Sequence, residues 1–317
     1  MYPHYAMPEG RGKLEEKRPT MTLLTSVCWH HAVNDQESLD AALSSRPKFD
    51  DDIQVGEKNI LRPMGQHRRR FTRIHSSTSA ASSLTQAIEA DIIFSASQGC
   101  AVMGHPPASD GDLSLASFLE QVSRSSFQIQ SSEHACPILK LDFKSDTALD
   151  AGLAPVTSYL RSLPPSRRKH LWINADILKG PPLTSSGDPR FAARDFLDKS
   201  AELPNTTLSP GWTTGQSDVH SPYVASMVDD MMTLVDDLHC EITFPVRATS
   251  FNSESWLHLR KLLDRCSRWT LTLWWSKELP REQLDFIYNT LESDERYKNR
   301  TYYDIVGLRE YLCERLK

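Results

Sequence analysis

Eight short apolar runs, with helical patterns between most of them, limit what this sequence can fold into. The runs are Leu23–Trp29, Ala87–Phe94, Ile138–Phe143, Lys169–Ala175, Thr206–Trp212, Glu241–Val246, Thr270–Trp275 and Tyr302–Val306. Apolar residues at helical spacing fill Leu113–Ser123, Leu149–Leu163, Phe191–Lys199, Tyr223–Leu238, Ser253–Arg265, Pro280–Leu291 and Leu308–Leu316. Eight strands, each followed by a helix, are the count of an α/β fold of the (β/α)8 TIM barrel type. Runs this apolar suit short parallel strands buried on both faces. An open doubly wound sheet is the competing architecture. It normally carries a Gly-rich phosphate loop after its first strand, and here His31-Ala32-Val33-Asn34 stands in that place.

The 317 residues are 39% hydrophobic with seven Trp, enough for one large core. The expected organisation is a disordered tail at 1–20 and a single barrel over 21–317. A polar stretch at about 44–83 interrupts that barrel between the first helix and the second strand. It holds Asp50-Asp51-Asp52, Arg68-Arg69-Arg70 and a Ser/Thr/Ala-rich run from Ser76 to Ser83, and it reads as a solvated loop. A net charge of −5 argues against a dedicated duplex nucleic-acid clamp. The six cysteines are scattered with no Cys-x-x-Cys pair, which excludes a zinc ribbon and disfavours a disulfide scaffold. Residues 1–20 carry no apolar core of a signal peptide, and no stretch reaches the roughly 18 apolar residues of a membrane span. The expectation is a reduced, cytoplasmic protein, a monomer by default.

Chemistry concentrates where the strands end. Side chains alternate faces along a strand, so Glu89 and Asp91 share one face, and Lys140, Asp142 and Lys144 share another. At the C-terminal rim of a barrel, Glu89, Asp91 and Asp142 can form an all-oxygen cage. Such a cage suits a hard cation, Mg²⁺ first with Ca²⁺ as the alternative. Read singly, each carboxylate is equally a helix cap or a salt-bridge partner. His31 ends the first strand and His105 follows the extension of the second, in Gly104-His105-Pro106-Pro107. Two imidazoles can activate a nucleophile and protonate a leaving oxygen, with Lys144 balancing charge on a phosphoryl group. Candidate substrate contacts are Asn34, Lys140, Asn174, Asp176, Trp212, Arg247 and Trp274, each of which is also a plausible packing residue. His30 points away from His31 and reads as structural. Adjacent His-His lacks the His-x-His spacing of an amidohydrolase zinc site. The constellation points to a metal-assisted phosphodiester site. Its substrate would be a lipid headgroup, a nucleotide or a nucleic-acid end.

Several motifs in order carry a resemblance. Trp29-His30-His31-Ala32-Val33-Asn34, Ile88-Glu89-Ala90-Asp91, Met103-Gly104-His105-Pro106-Pro107, Lys140-Leu141-Asp142-Phe143-Lys144, Trp172-Ile173-Asn174-Ala175-Asp176, Gly211-Trp212-Thr213-Thr214 and Phe244-Pro245-Val246-Arg247-Ala248 resemble the menorin family, in particular its branch without a membrane anchor. That family in turn looks like a distant relative of phospholipase-C-like phosphodiesterase barrels, the glycerophosphodiester phosphodiesterases and sphingomyelinase D enzymes. The resemblance implies His31 and His105 as acid/base pair, Glu89, Asp91 and Asp142 as Mg²⁺ ligands, and Lys144 on the phosphate. The expected activity is that of a metal-dependent phosphodiesterase or phospholipase-D-like lyase. The family's association with development and neuronal maintenance implies the alternative, a non-catalytic barrel that binds a ligand or protein. Two features depart from the pattern: the 44–83 stretch, and a Gly-His-Pro-Pro turn where glycerophosphodiesterases have His-Asp.

Overall fold

The computed structural model describes residues 27–44, 85–125, 137–183, 187–215 and 220–315. The expected tail at 1–20 and nearly all of the 44–83 stretch lie outside them. Among these residues nine strands form one sheet: β1 (Val27–His30), β2 (Thr85–Ser95), β3 (Cys100–Met103), β4 (Ile138–Phe143), β5 (Leu171–Lys179), β6 (Thr207–Thr213), β7 (Glu241–Arg247), β8 (Trp269–Trp275) and β9 (Thr301–Ile305). The order is β1-β2-β4-β5-β6-β7-β8-β9, every neighbouring pair parallel. β1 and β9 lie side by side at the seam without a ladder between them. This is a nearly closed (β/α)8 barrel. The added strand, β3, folds back antiparallel on the long β2, a hairpin the apolar runs do not announce.

The helices are α1 (Gln36–Ser44), α2 (Leu115–Arg124), α3 (Asp146–Ser162), the short α4 (Pro165–Arg168), α5 (Ala193–Ala201), α6 (Ala225–Val235), α7 (Ser253–Arg265), α8 (Arg281–Leu291) and α9 (Leu308–Arg315). Four start on side-chain caps: Asp35 accepts from the Ser38 N–H, Ser114 from Ser117, Ser145 from Ala148 and Asn252 from Ser255. Each cap satisfies a backbone donor that the first helical turn leaves open. The helices cover the outer faces of the strands. Ile88, Leu141, Ile173, Phe244 and Leu271 meet Phe118, Leu149, Phe196, Val228 and Leu262 in one large core.

The inside of the barrel is different. Ala87, Ile138 and Trp172, with Val27, Trp29 and Tyr302, form a separate apolar plug at its floor. The rings pack on their edges, with centroids 5.7 Å apart for Trp29–Trp172 and 4.7 Å for Trp172–Tyr302. Two residues further along each strand the same inner face turns polar. Glu89 and Asp91 follow Ala87, Lys140 and Asp142 follow Ile138, and Asn174 follows Trp172. Thr243 and Thr272 share a hydrogen bond of 2.7 Å, and Ser209 donates to Asn174 at 2.6 Å. The expectation of strands apolar on both faces therefore holds at the floor and fails above it.

Candidate active site

β2 organises the mouth because three neighbouring segments hang from its backbone. The Val33 N–H donates to the Glu89 carbonyl at 3.0 Å, which fixes the loop after β1. The Gly104 N–H donates to the Asp91 carbonyl at 3.0 Å, which fixes the turn after β3. The Lys144 N–H donates to the Ile92 carbonyl at 2.9 Å, which fixes the end of β4. Asn34 completes the frame: its Oδ1 accepts from the Asp91 N–H and its Nδ2 donates to Asp91 Oδ2, both at 2.8 Å. Asn34 thus orients a carboxylate, a different role from the substrate contact expected of it.

Seven charged groups then pair in two adjoining sets. His31 Nδ1 lies 2.9 Å from Glu89 Oε2, and His31 Nε2 lies 2.5 Å from Asp304 Oδ1. Glu89 Oε1 accepts from Lys140 Nζ at 2.6 Å. Lys144 Nζ sits between Asp91 Oδ1 at 2.7 Å and Asp142 Oδ2 at 2.6 Å. The His31–Asp304 pair joins β1 to β9 across the seam that backbone hydrogen bonds leave open. Asp304 is buried and central, yet it lacks the acidic neighbour that makes Glu-x-Asp visible. Its signal in the sequence is a carboxylate on the inner face at the end of the last strand, in register with Trp274.

The electrostatics follow from this crowding. Burial works against charge on His31, but hydrogen bonds to Asp304 and Glu89 and their negative charges prevail, and its pKa rises to about 10. Burial also opposes ionisation of Glu89, yet Lys140 and His31 hold it well below the usual carboxylate range. Desolvation acts against Lys144, and Asp142 and Asp91 overcome it and raise its pKa. Burial raises the pKa of Asp304 and of Asp142.

The expected site residues divide by depth. His31, Glu89, Asp91, Asp142 and Lys144 come together at the mouth. Lys140 belongs to the cluster but is buried beneath it on Glu89, out of reach of a substrate. Asn174 is buried and occupied by Ser209. Trp212 points to the outer face, where its ring packs on Tyr223 and Phe244 and its Nε1 donates to the Met227 carbonyl, so it offers no face to a ligand. Asp176 is exposed to the mouth, and Gly211 makes room for it, since a Cβ there would lie 2.6 Å from Asp176 Oδ1. Arg247 is buried, donates from Nη1 to the Gly215 carbonyl at 2.7 Å and lies over the Trp275 ring at 4.8 Å. Half-buried Trp274 stands in register between Arg247 and Asp304. His105 is exposed, with Nδ1 2.6 Å from the Pro106 carbonyl oxygen, and among the described residues no hydrogen bond ties it to the cluster.

The donor set suits a hard cation. Glu89, Asp91, Asp142 and Asp304 face the cations His31, Lys140 and Lys144, which leaves one negative charge in excess beneath Asp176. An ammonium already lies between Asp91 and Asp142, so the position between them accepts positive charge. Among the described residues, the trio whose ligand atoms all fall within 4.8 Å of one another is His31, Glu89 and Asp304. That trio is already satisfied as an imidazolium between two carboxylates, whereas the oxygen set offers the harder ligands.

Comparison with known proteins supplies the lineage. The family model of the Menorin N-terminal domain matches residues 71–308. Human Protein FAM151B is 31% identical over 233 residues, which is 72% of this chain and 77% of that protein. Among solved structures, a glycerophosphodiester phosphodiesterase from Parabacteroides distasonis aligns with a TM-score of 0.40 at 8% identity, over 73% of this chain and 85% of the other. A GH128 endo-β-1,3-glucanase from Sorangium cellulosum aligns with a TM-score of 0.33 at 13% identity, over 58% and 84%. No helix among the described residues is long and apolar enough to cross a membrane. The family match and the human relative together place this chain in the menorin family.

Proposed function

We propose that this protein is a divalent-metal-dependent phosphodiesterase, acting by hydrolysis or by cyclising transfer. The observation that carries the reading is the layer of four carboxylates and three cations paired at the barrel mouth. Burying that much charge costs stability, so a fold keeps it where function requires it. Glu89, Asp91 and Asp142 would hold the ion, Mg²⁺ by the chemistry of the oxygen set. When bound, it would supply positive charge to the phosphoryl oxygens.

The chain's own groups account for the rest. Asn34 holds Asp91 in place, and Lys140 holds Glu89. His31, oriented by Asp304 on its Nε2, is the proton donor to the leaving oxygen through Nδ1, which Glu89 would release on taking up the role of metal ligand. His105, exposed in the turn hung from Asp91, is the group that accepts the proton of the attacking hydroxyl. The attacker is water or a hydroxyl of the substrate itself, the latter giving a cyclic phosphate. Lys144 contacts the phosphoryl oxygens. Desolvation at the mouth and the charge of Asp142 push the Asp176 carboxyl up to about 7, and with it protonated and the ion and all three cations present the layer carries one net positive charge. That matches a phosphodiester monoanion better than a monoester dianion. The test is a panel of bis-p-nitrophenyl phosphate, lysophospholipids, glycerophosphocholine and short RNA and DNA, with and without Mg²⁺. The expected result is Mg²⁺-dependent product that a Glu89→Ala/Asp91→Ala double variant does not form. No product on any member, with Mg²⁺ or Mn²⁺ present, contradicts the reading and favours a barrel that only binds.

A further inference from the structure

The two lysines of the mouth are held in different ways. The Lys140 side chain is 5% exposed, lies between the aromatic plug and the carboxylates, and ends on Glu89. It has nowhere to go. The Lys144 side chain is 21% exposed, and its ammonium bridges Asp91 and Asp142 from the open side. Only its backbone is fixed, by the bond to the Ile92 carbonyl. The four-carbon stem of a lysine reorients easily about that anchor. Asp91 and Asp142 are cross-strand neighbours in register on β2 and β4, and without a cation between them their charges repel. Lys144 therefore occupies the position in which a cation stabilises both.

We propose that Lys144 is a displaceable internal counter-ion: a divalent cation and the Lys144 ammonium compete for Asp91 and Asp142, and metal loading releases the ammonium toward the phosphoryl group. The inference rests on the metal-dependent reading above and adds an order of events to it. Before loading, the layer is net negative and repels an anion. After loading, it is net positive and presents a free ammonium. Metal binds first and the anion second, and by linkage the anion tightens the metal by the same factor. A permanent lysine and a displaceable one also explain why the layer carries two. Lys140 keeps the buried part of the cluster balanced while Lys144 is away.

The experiment follows the lysine ammonium groups of the full-length protein by ¹⁵N NMR during Mg²⁺ titration. Lys140→Met and Lys144→Gln variants assign the two signals. The expected result is two protected ammonium signals in chelator-treated protein, of which Mg²⁺ removes that of Lys144 and leaves that of Lys140. Calorimetry gives the second readout. Lys144→Gln is expected to bind Mg²⁺ about tenfold more tightly than wild type, having lost its competitor. Wild type is expected to bind inorganic phosphate more tightly with Mg²⁺ than without, and this gain shrinks in Lys144→Gln. A Lys144 signal that persists at saturating Mg²⁺ overturns the inference while leaving the metal site standing, as does equal or weaker metal affinity in Lys144→Gln. Failure of wild type and variant alike to bind Mg²⁺ or Mn²⁺ overturns the metal reading and the inference with it.

Discussion

The floor and the mouth of this barrel are built from the same strands by opposite rules. At the floor, Trp29, Trp172 and Tyr302 fill the interior with ring edges and no charge. One layer up, Glu89 and Lys140 begin a network of charges that continues through Asp91, Asp142, Lys144, His31 and Asp304. The plug stabilises by removing apolar surface from water. The charged layer roughly breaks even at best, because desolvation offsets the attraction of its pairs. The contrast teaches that stability and chemistry in this chain are separated along the barrel axis, two residues apart on each strand. Substitutions on either side should therefore fail in different ways.

The largest effect should come from His105→Ala, which touches neither the plug nor the network. Turnover on the best diester of the panel should fall about 10²–10⁴-fold, with the denaturation midpoint unchanged. Near-normal turnover would remove His105 from the mechanism. Next is Trp172→Ala, which should lower unfolding free energy by about 3–5 kcal/mol, read by urea titration. Glu89→Gln should cost about 3 kcal/mol, because Lys140 is left buried without its carboxylate. Adding Lys140→Met to it should restore much of that loss while activity stays absent, a split that a purely structural pair would not give.

The smallest effect sets the two ends of the barrel against each other by pH. His31, at the mouth, has a folded pKa near 10 against an ordinary 6.5. Its contribution is fully present below pH 6.5 and is lost as pH rises toward 10. His170 precedes β5 at the floor, and burial, with Lys169 and Arg167 nearby, lowers its pKa to about 4. Its contribution is present above pH 6.5 and is lost as pH falls toward 4. In chelator-treated protein, His31→Gln should flatten the alkaline limb of melting temperature against pH, and His170→Gln the acid limb. Exchange of those two limbs between the variants would refute the assignment.

What the sequence made legible follows the same axis. Each of the eight apolar runs contains a strand of the barrel, because each carries a β-rich apolar stretch between turn residues. Glu89, Asp91, Asp142 and Lys144 were readable because period-two alternation fixes which face a residue shares. Alternation does not give depth along the axis, so Lys140 and Lys144 look equivalent in the motif and differ in place: one lies beneath the carboxylates, the other above them. Trp212 obeys the same rule. Thr207, Ser209 and Gly211 take the inner face of β6, so Trp212 must turn outward. Asp304 stayed hidden because its partner, His31, is more than 270 residues away, and only barrel closure brings them together. The β3 hairpin was hidden in the long β2, whose single apolar run reads as one strand followed by a loop.

Everything proposed for the mouth requires a divalent cation on its oxygen donors. The most direct measurement is anomalous diffraction from crystals of this protein grown with Mn²⁺. An anomalous peak is expected at roughly 2.0–2.3 Å from carboxylate oxygens of Glu89, Asp91 and Asp142, with the Lys144 ammonium moved off the two aspartates. A mouth without a peak, with Lys144 still between Asp91 and Asp142, would contradict it.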